Sequence, residues 1–246
     1  MSNEFRPFGG ISGSTLKLIA IITMFIDHAG ATVLQAIVRH PGITSIAEKR
    51  IFWSHVYRIS RDIGRLAFPI FCFLIVEGFL HTRNVKKYAG RLFLFALLSE
   101  IPFDLALKGN WFYPGKQNVY FTLLIGLMVM AGIVWITRGG TQNLILALLP
   151  IAAGMYAASW IDTDYNYKGV FLIAVLYLMR SSRLYQCIGG AVSVTWELPA
   201  PLAFLPVYLY NGKRGLRMKY FFYFFYPVHL LLLYAAAKYL IPLLPL

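Results

Sequence analysis

Acidic residues are scarce in this chain. Ten Asp and Glu stand against 23 Lys and Arg in 246 residues, and charged residues of both signs amount to only 13%. A soluble domain carries about 25%, so a soluble globular fold is excluded. Cysteine is scarcer still. Cys72 and Cys187 both fall in apolar segments, so neither a disulfide framework nor a thiolate metal site is implied, and free thiols facing lipid or core are expected. No Gly-rich nucleotide loop, GxSxG elbow or HExxH pair occurs, which removes the common signatures of nucleotide binding, serine hydrolysis and zinc hydrolysis. Internal repeats and low-complexity tracts are absent as well. The N-terminus lacks the pattern of a cleaved signal peptide, because its apolar run is interrupted by Asp27 and His28 and no small-residue cleavage site follows. The first helix is expected to stay in the membrane.

What is present is hydrophobic: 59% of the residues, with a mean hydropathy of +0.63. A helix needs about 20 apolar residues to cross a bilayer. The apolar runs predict an all-α, polytopic transmembrane helical bundle of about nine helices (eight to ten) forming a single domain over residues 1–246. The formal charge of +13 then reads as loop cations that set topology, not as a nucleic-acid surface. With a cytoplasmic N-terminus, the basic linkers 81–87, 180–183 and 213–219 and the turn at Arg138 fall inside, and the loop with Asp162 and Asp164 falls outside. That arrangement gives about nine crossings, with eight as the alternative. Membrane lipids are the expected surroundings, a bacterial plasma membrane the expected location, and self-association is compatible with the sequence.

In chain order, Ser14 or Thr15 is expected to cap a first helix that runs to Val38. Residues 39–61 read as a polar loop with an interfacial amphipathic turn at Ile51–Trp53 and Val56–Tyr57. Helices follow over 63–80, 88–107, 119–137 and 141–161, the last two without a charged residue and the last bent at Pro150. After a short run at 170–179 come two more, 184–196 and 198–210, broken around Glu197, Pro199 and Pro201. They read as two short tilted crossings or as one broken span. The final helix, 220–240, carries Pro227 and His229.

The first helix holds the least expected residues. In KLIAIITMFIDH, Lys17 precedes an apolar run that ends in Asp27 and His28, and AGATVLQAIV follows. An acid and an imidazole thus stand near the middle of a span, where an ionised Asp costs about 2.5–3.5 kcal/mol. Such residues persist when they face a protein interior or a wet cavity. Lys17 and His28 share one helix face, roughly 16 Å apart along the axis. Adjacent side chains diverge by about 100°, so Asp27 needs a partner on another helix, and Arg65 is the expected one. Arg58, Arg61 and Arg65 form one basic stripe and Lys87 with Arg91 another, either of which suits phosphate groups or lipid headgroups. A central imidazole can be a general base, a proton relay or a metal ligand. A metal is not expected, because no second His or Cys stands at ligand spacing on the same helix.

Four stretches in order carry a family resemblance: Lys17-x10-His28 with Asp27, Gly64-Arg65-Leu66-Ala67-Phe68-Pro69, Asp164-Tyr165 with Gly169, and Phe225-Tyr226-Pro227-Val228-His229-Leu230. Together they resemble the TraX family of membrane proteins, named for the protein that acetylates the N-terminus of conjugative pilin. The basic residue followed by x10 and His is also similar to larger membrane acyltransferases that O-acetylate glycans. The resemblance implies an acetyl-CoA-dependent membrane acyltransferase with His28 as general base and Asp27 orienting it. It also implies Lys17 as a contact to the donor's phosphates, with Arg65, Arg91 and Lys87 as further candidates. Glu77, Asp164, Tyr165 and His229 are candidates on the acceptor side, the acceptor being a peptide amine or a glycan hydroxyl. Two other classes compete. A proton-coupled transporter would relay protons through Asp27, His28 and Glu77. A non-catalytic scaffold would use the buried charges only to hold helices together.

Overall fold

The computed structural model describes residues 9–137, 144–216 and 219–245. The expected turn at Arg138 and the cation Arg217 lie outside them. Helix α1 is the unit Gly13–Val38. It begins one turn earlier than the expected cap, because the Ser12 side chain accepts the Thr15 N–H at 3.2 Å. Within α1 the turn Gly30–Leu34 is a π-helix. It starts two residues after His28, whose carbonyl accepts the Thr32 hydroxyl at 2.6 Å. Single π turns inside long helices are rare and concentrate at functional sites.

Residues 39–61 correct the expectation of a loop. His40 caps a short turn, Pro41–Thr44, and a full helix, α2, runs over Ala47–Gly64. Its pattern is amphipathic. Trp53, Tyr57, Ser60 and Gly64 turn toward α1 or the interior, while Glu48, Lys49, Arg50 and Arg58 are exposed. A brief turn at Arg65–Leu66 joins α2 to α3, Ala67–His81. The two form one apolar unit of 35 residues, roughly 52 Å at 1.5 Å per residue and so longer than a bilayer core of about 30 Å.

Helix α4 is Val85–Lys108, capped by Asn84 accepting the Lys87 N–H at 2.8 Å and ended by Gly109 at φ 74°. A left-handed residue at that place is what glycine supplies at a helix C-terminus. Then come α5 (Val119–Thr137), α6 (Leu144–Trp160) and α7 (Asn166–Leu178). Fully buried Leu127 and Met130 of α5, Ile70 and Phe73 of α3, and Leu172, Ile173 and Leu176 of α7 form the centre of the core. Trp135 near the end of α5 and Trp160 at the end of α6 are 80% and 78% exposed, as befits interfacial anchors.

Helix α8 is Arg183–Ser193, and the chain returns through the short helices Ala200–Ala203 and Phe204–Tyr208. Eleven residues span only about 16 Å. The guanidinium of Arg183 lies over both Phe73 and Tyr210, so the excursion starts and ends at one place. The two short runs therefore make a hairpin that leaves and returns on one side, which rules out one broken span, with Glu197 near its tip. Irregular backbone within a membrane bundle is tolerated where protein surrounds it or it lines a cavity, and Trp196 and Glu197 line one. The last helix, α9, is Lys219–Ala235, continued by a π turn over Ala236–Leu240. It packs on α4 and α1. The helices come close to the nine expected, and the four longest apolar units are each long enough to cross a membrane.

Candidate active site: a histidine pair beside a polar chamber

Helices α1 and α2 touch at two glycines. A Cβ on Gly30 would strike the Ser60 hydroxyl, and one on Gly64 would strike the Asp27 carboxylate. Those missing side chains let the helices close up and set Asp27 against α2. Arg61, one turn before Gly64, then reaches Asp27. Its Nη1 lies 2.8 Å from Asp27 Oδ2 and also donates to the Asp27 carbonyl at 3.2 Å. This corrects the expected Asp27–Arg65 pair. Arg65 sits past the end of α2, and its Nη1 instead meets Glu197 Oε1 at 2.6 Å, at the tip of the hairpin.

These two ion pairs stand in one cavity of about 690 Å³, called here the chamber. His28, Asp164 and Tyr165 line it as well, the last stacked on Phe68 with ring centroids 3.4 Å apart and planes 3° from parallel. Lys116 closes a third pair, Nζ to Asp164 Oδ1 at 3.6 Å. The Asp164 carboxyl, in the loop between α6 and α7, is raised above its ordinary value by desolvation, which outweighs the pull of Lys116. Within this cluster Asp27 Oδ1 is buried and has no hydrogen-bond partner among the described residues.

A second cavity, of about 520 Å³, lies toward the start of α1. Its cations are Lys17, Arg83, Arg91 and Arg214, with His81 beside them. Glu77 is its carboxylate, and Arg183 holds it at 3.5 Å. Lys17 stands over the Phe222 ring and Arg91 over Tyr88. Among the described residues no carboxylate pairs with any of these four cations. This is the basic pocket.

The two cavities share one residue, Phe71. A single stripe of the α2–α3 unit lines both in turn: Gly64 and Phe68 in the chamber, Phe71 between, Leu74, Gly78 and His81 in the pocket. Helix α1 supplies the facing wall, Lys17 at one end and Met24, Asp27 and His28 at the other.

His28 is buried, with 9% exposure, and its ring meets that of His229 edge to edge, with centroids 5.0 Å apart and planes 21° from parallel. His28 Nδ1 lies 2.7 Å from His229 Nε2, and His229 Nδ1 lies 2.6 Å from the Phe225 carbonyl oxygen. Phe25, Phe225 and Tyr226 surround the pair.

The structure thus brings together Asp27, His28, Arg65, Asp164 and Tyr165 at the chamber, with His229 behind His28. Lys17, Arg91 and Glu77 gather at the basic pocket, so Glu77 is apart from the acidic residues it was grouped with, and Arg65 is apart from Lys17. Lys87 is exposed and lines neither cavity. Glu197, Lys116, Arg214 and Phe71 were not singled out as site residues in the sequence, and Arg61 entered only as part of the basic stripe with Arg58 and Arg65. Arg61 had a signal, one turn before Arg65 on the same stripe. Glu197 had one too, as the lone charge in an apolar run. Phe71 had none. No group of three or more His, Cys, Asp or Glu with metal-site geometry occurs among the described residues.

A helical membrane bundle with a buried histidine pair beside a polar chamber, and a basic pocket that meets the chamber at Phe71, is the class that fold and site define. The chain belongs to the TraX protein family, whose sequence model matches residues 12–236. It is 30% identical over 257 residues to the probable fimbrial assembly protein FimC, serogroup H1, of Dichelobacter nodosus, an alignment covering 93% of this chain and 97% of that protein. No solved structure matches it.

Proposed function

We propose that this protein is a multi-pass acetyltransferase of the bacterial cell membrane that moves an acetyl group from cytoplasmic acetyl-CoA to an amine or hydroxyl acceptor. The observation that carries this reading is the placement of His28. It lines the chamber, and Phe71 alone is common to the chamber and the basic pocket. The pocket's unpaired cations suit a polyanionic donor, since Lys and Arg contacts to phosphate are strong charge-assisted bonds. Its volume falls within the range of about 300–1,000 Å³ usual for small-molecule sites. Donor phosphates at Lys17, Arg91 and Arg214 would leave the thioester directed along the stripe toward Phe71 and His28.

In the chamber, the His28 imidazole takes the proton of the acceptor N–H or O–H as the acceptor attacks the thioester carbonyl. The carbon–sulfur bond breaks, and the proton passes to the leaving thiolate. General-base catalysis of this kind contributes roughly 10²–10⁴-fold. The unpaired Oδ1 of Asp27 offers a hydrogen-bond acceptor to an incoming N–H or O–H. The fimbrial relative fits an acceptor on a surface appendage, either a pilin amine or a sugar attached to it.

A proton-coupled carrier is less well supported, because Glu77 lies in the basic pocket, held by Arg183, and not with Asp27 and His28. The deciding experiment follows thiol release from acetyl-CoA by the purified protein in lipid nanodiscs. Wild type should release CoA, His28→Ala should bind acetyl-CoA but release almost none, and Lys17→Ala should need more donor. Equal release by well-folded wild type and His28→Ala would remove the proposal.

A further inference from the structure

His229 is buried to 3% exposure, and the chamber's lining includes His28 but not His229. It therefore has no direct approach to anything bound in the chamber. Its two ring nitrogens are both engaged. Nδ1 faces the Phe225 carbonyl oxygen at 2.6 Å, and Nε2 faces His28 Nδ1 at 2.7 Å. A carbonyl oxygen can only accept, so His229 Nδ1 carries a hydrogen. In the neutral ring Nε2 is then the bare nitrogen and can only accept. The donor of the bond between the rings must be His28 Nδ1–H. That leaves the lone pair of His28 on Nε2, the nitrogen on the far side of the ring from His229.

We infer that His229 is a positioning residue that fixes His28 in the Nδ1–H tautomer, so that Nε2 is the base presented to the acceptor. The order of donors runs from His28 Nδ1–H to His229 Nε2, and from His229 Nδ1–H to the Phe225 carbonyl. Each second nitrogen sets the state of the first, as a hydrogen-bond partner does for a catalytic imidazole generally. The arrangement also gives His28 an outlet when it becomes protonated. A proton taken at Nε2 makes an imidazolium whose Nδ1–H already points at a neutral Nε2, so the charge is shared with the second ring instead of standing alone in an apolar surround. Proton balance is kept: the acceptor's proton enters at His28 Nε2 and leaves from the same atom to the thiolate, while the two Nδ1 hydrogens stay in place. The residue sits on α9, in the Phe225-to-Leu230 stretch, 201 positions from its partner. The tautomer assignment rests on geometry alone. Its catalytic consequence rests on the acetyltransfer reading.

The test is nitrogen NMR of protein labelled with ¹⁵N-histidine, assigned with His28→Ala and His229→Gln. The expected wild-type spectrum has His28 protonated at Nδ1 and bare at Nε2, and His229 protonated at Nδ1. His229→Gln keeps one acceptor end and one donor end, so it should hold the His28 tautomer and most of the turnover. His229→Leu offers no acceptor. It should release His28 into a mixture of tautomers and lower kcat about ten- to a thousandfold, with little change in KM for acetyl-CoA. A wild-type His28 bare at Nδ1 would overturn the inference, whatever the activity. So would His229→Leu with unchanged tautomer and kcat. If the wild type turns over no thioester yet shows the expected tautomers, the pairing stands and the acetyltransfer reading falls. Should His229→Leu fail to fold, the wild-type and His229→Gln spectra still decide the point.

Discussion

The chamber and the basic pocket are lined by the same two helical units, yet their charges are satisfied in opposite ways. In the chamber every carboxylate has a cation: Asp27 with Arg61, Glu197 with Arg65, Asp164 with Lys116. In the basic pocket the only carboxylate is held from outside by Arg183, and Lys17, Arg83, Arg91 and Arg214 have no anionic partner in the described chain. Internally paired charges hold helices in register and leave Lys168, which stands over the Trp196 ring, as the cation of the described lining outside these pairs. Unpaired cations facing a common void repel one another, and half-buried Lys17 and Arg91 also bear a desolvation cost that a bound anion would relieve, while Arg83 and Arg214 are exposed. The contrast teaches that one cavity pairs its carboxylates internally while the other leaves its cations open, which is the feature the proposed anionic donor would use.

The largest way to sharpen that contrast is His28→Ala, in the chamber wall. Thiol release should fall by roughly 10²–10⁴-fold, while the Kd for CoA, read by calorimetry, should hold within a factor of about two. A parallel loss of binding would mean that the two cavities are not separate in function.

Next come the pocket cations. Lys17→Gln with Arg91→Gln should weaken CoA binding by about ten- to a hundredfold, from charge-assisted bonds worth about 1.5–3 kcal/mol each that are partly retained by Arg83 and Arg214. The thermal midpoint should stay the same or rise, since like charges are removed. A large drop in melting temperature with unchanged CoA affinity would reverse the comparison.

The chamber should answer in the opposite sense. Asp27→Asn and Arg61→Gln should each cost stability, and the double variant should cost less than their sum, with a coupling of about 0.5–3 kcal/mol. Both groups are partly exposed, at 16% and 24% of the side chain, so the low end of that range is expected. Strict additivity in thermal unfolding would mean the pair does not hold α1 to α2. Gly64→Ala tests the same contact from the other side. Its Cβ would meet the Asp27 carboxylate, and such overpacking costs about 1–3 kcal/mol.

The smallest effect belongs to Phe71→Ala. Opening the wall common to both cavities should let a longer acyl thioester, butyryl-CoA, react a few-fold better relative to acetyl-CoA, because one methylene in a pocket is worth about 1–3 kcal/mol. An unchanged preference would place the acyl group elsewhere.

Much of this was legible from local pattern, and what was not depended on contacts between distant segments. The Lys17-to-His28 face could be read because helical period alone puts those residues on one side of a span. The uncharged α5 and α6 could be read because nothing interrupts them. Residues 39–61 were misread because their charges masked an inward period at Trp53, Tyr57, Ser60 and Gly64. The partner of Asp27 was misjudged by one turn, since the helix breaks at Arg65–Leu66 and swings Arg65 toward the hairpin. The two apolar runs of that hairpin fit two short crossings or one broken span, and only the meeting of Arg183 with Tyr210 and Glu77 puts both ends on one side and removes the broken span. The bond between His28 and His229 joins residues 201 positions apart, and no single-segment pattern reports it. The family resemblance placed both histidines among the candidates but gave His229 an acceptor-side role, whereas the structure sets it behind His28.

The central claim is that a donor's anionic end occupies the basic pocket while its reactive end reaches past Phe71 to His28. A cryo-EM map of the protein in nanodiscs with bound CoA tests it most directly. The account predicts phosphate density beside Lys17, Arg91 and Arg214, with the thiol beyond Phe71 on the His28 side. Phosphates seated instead among the ion pairs of the chamber, or a thiol turned away from His28, would contradict it.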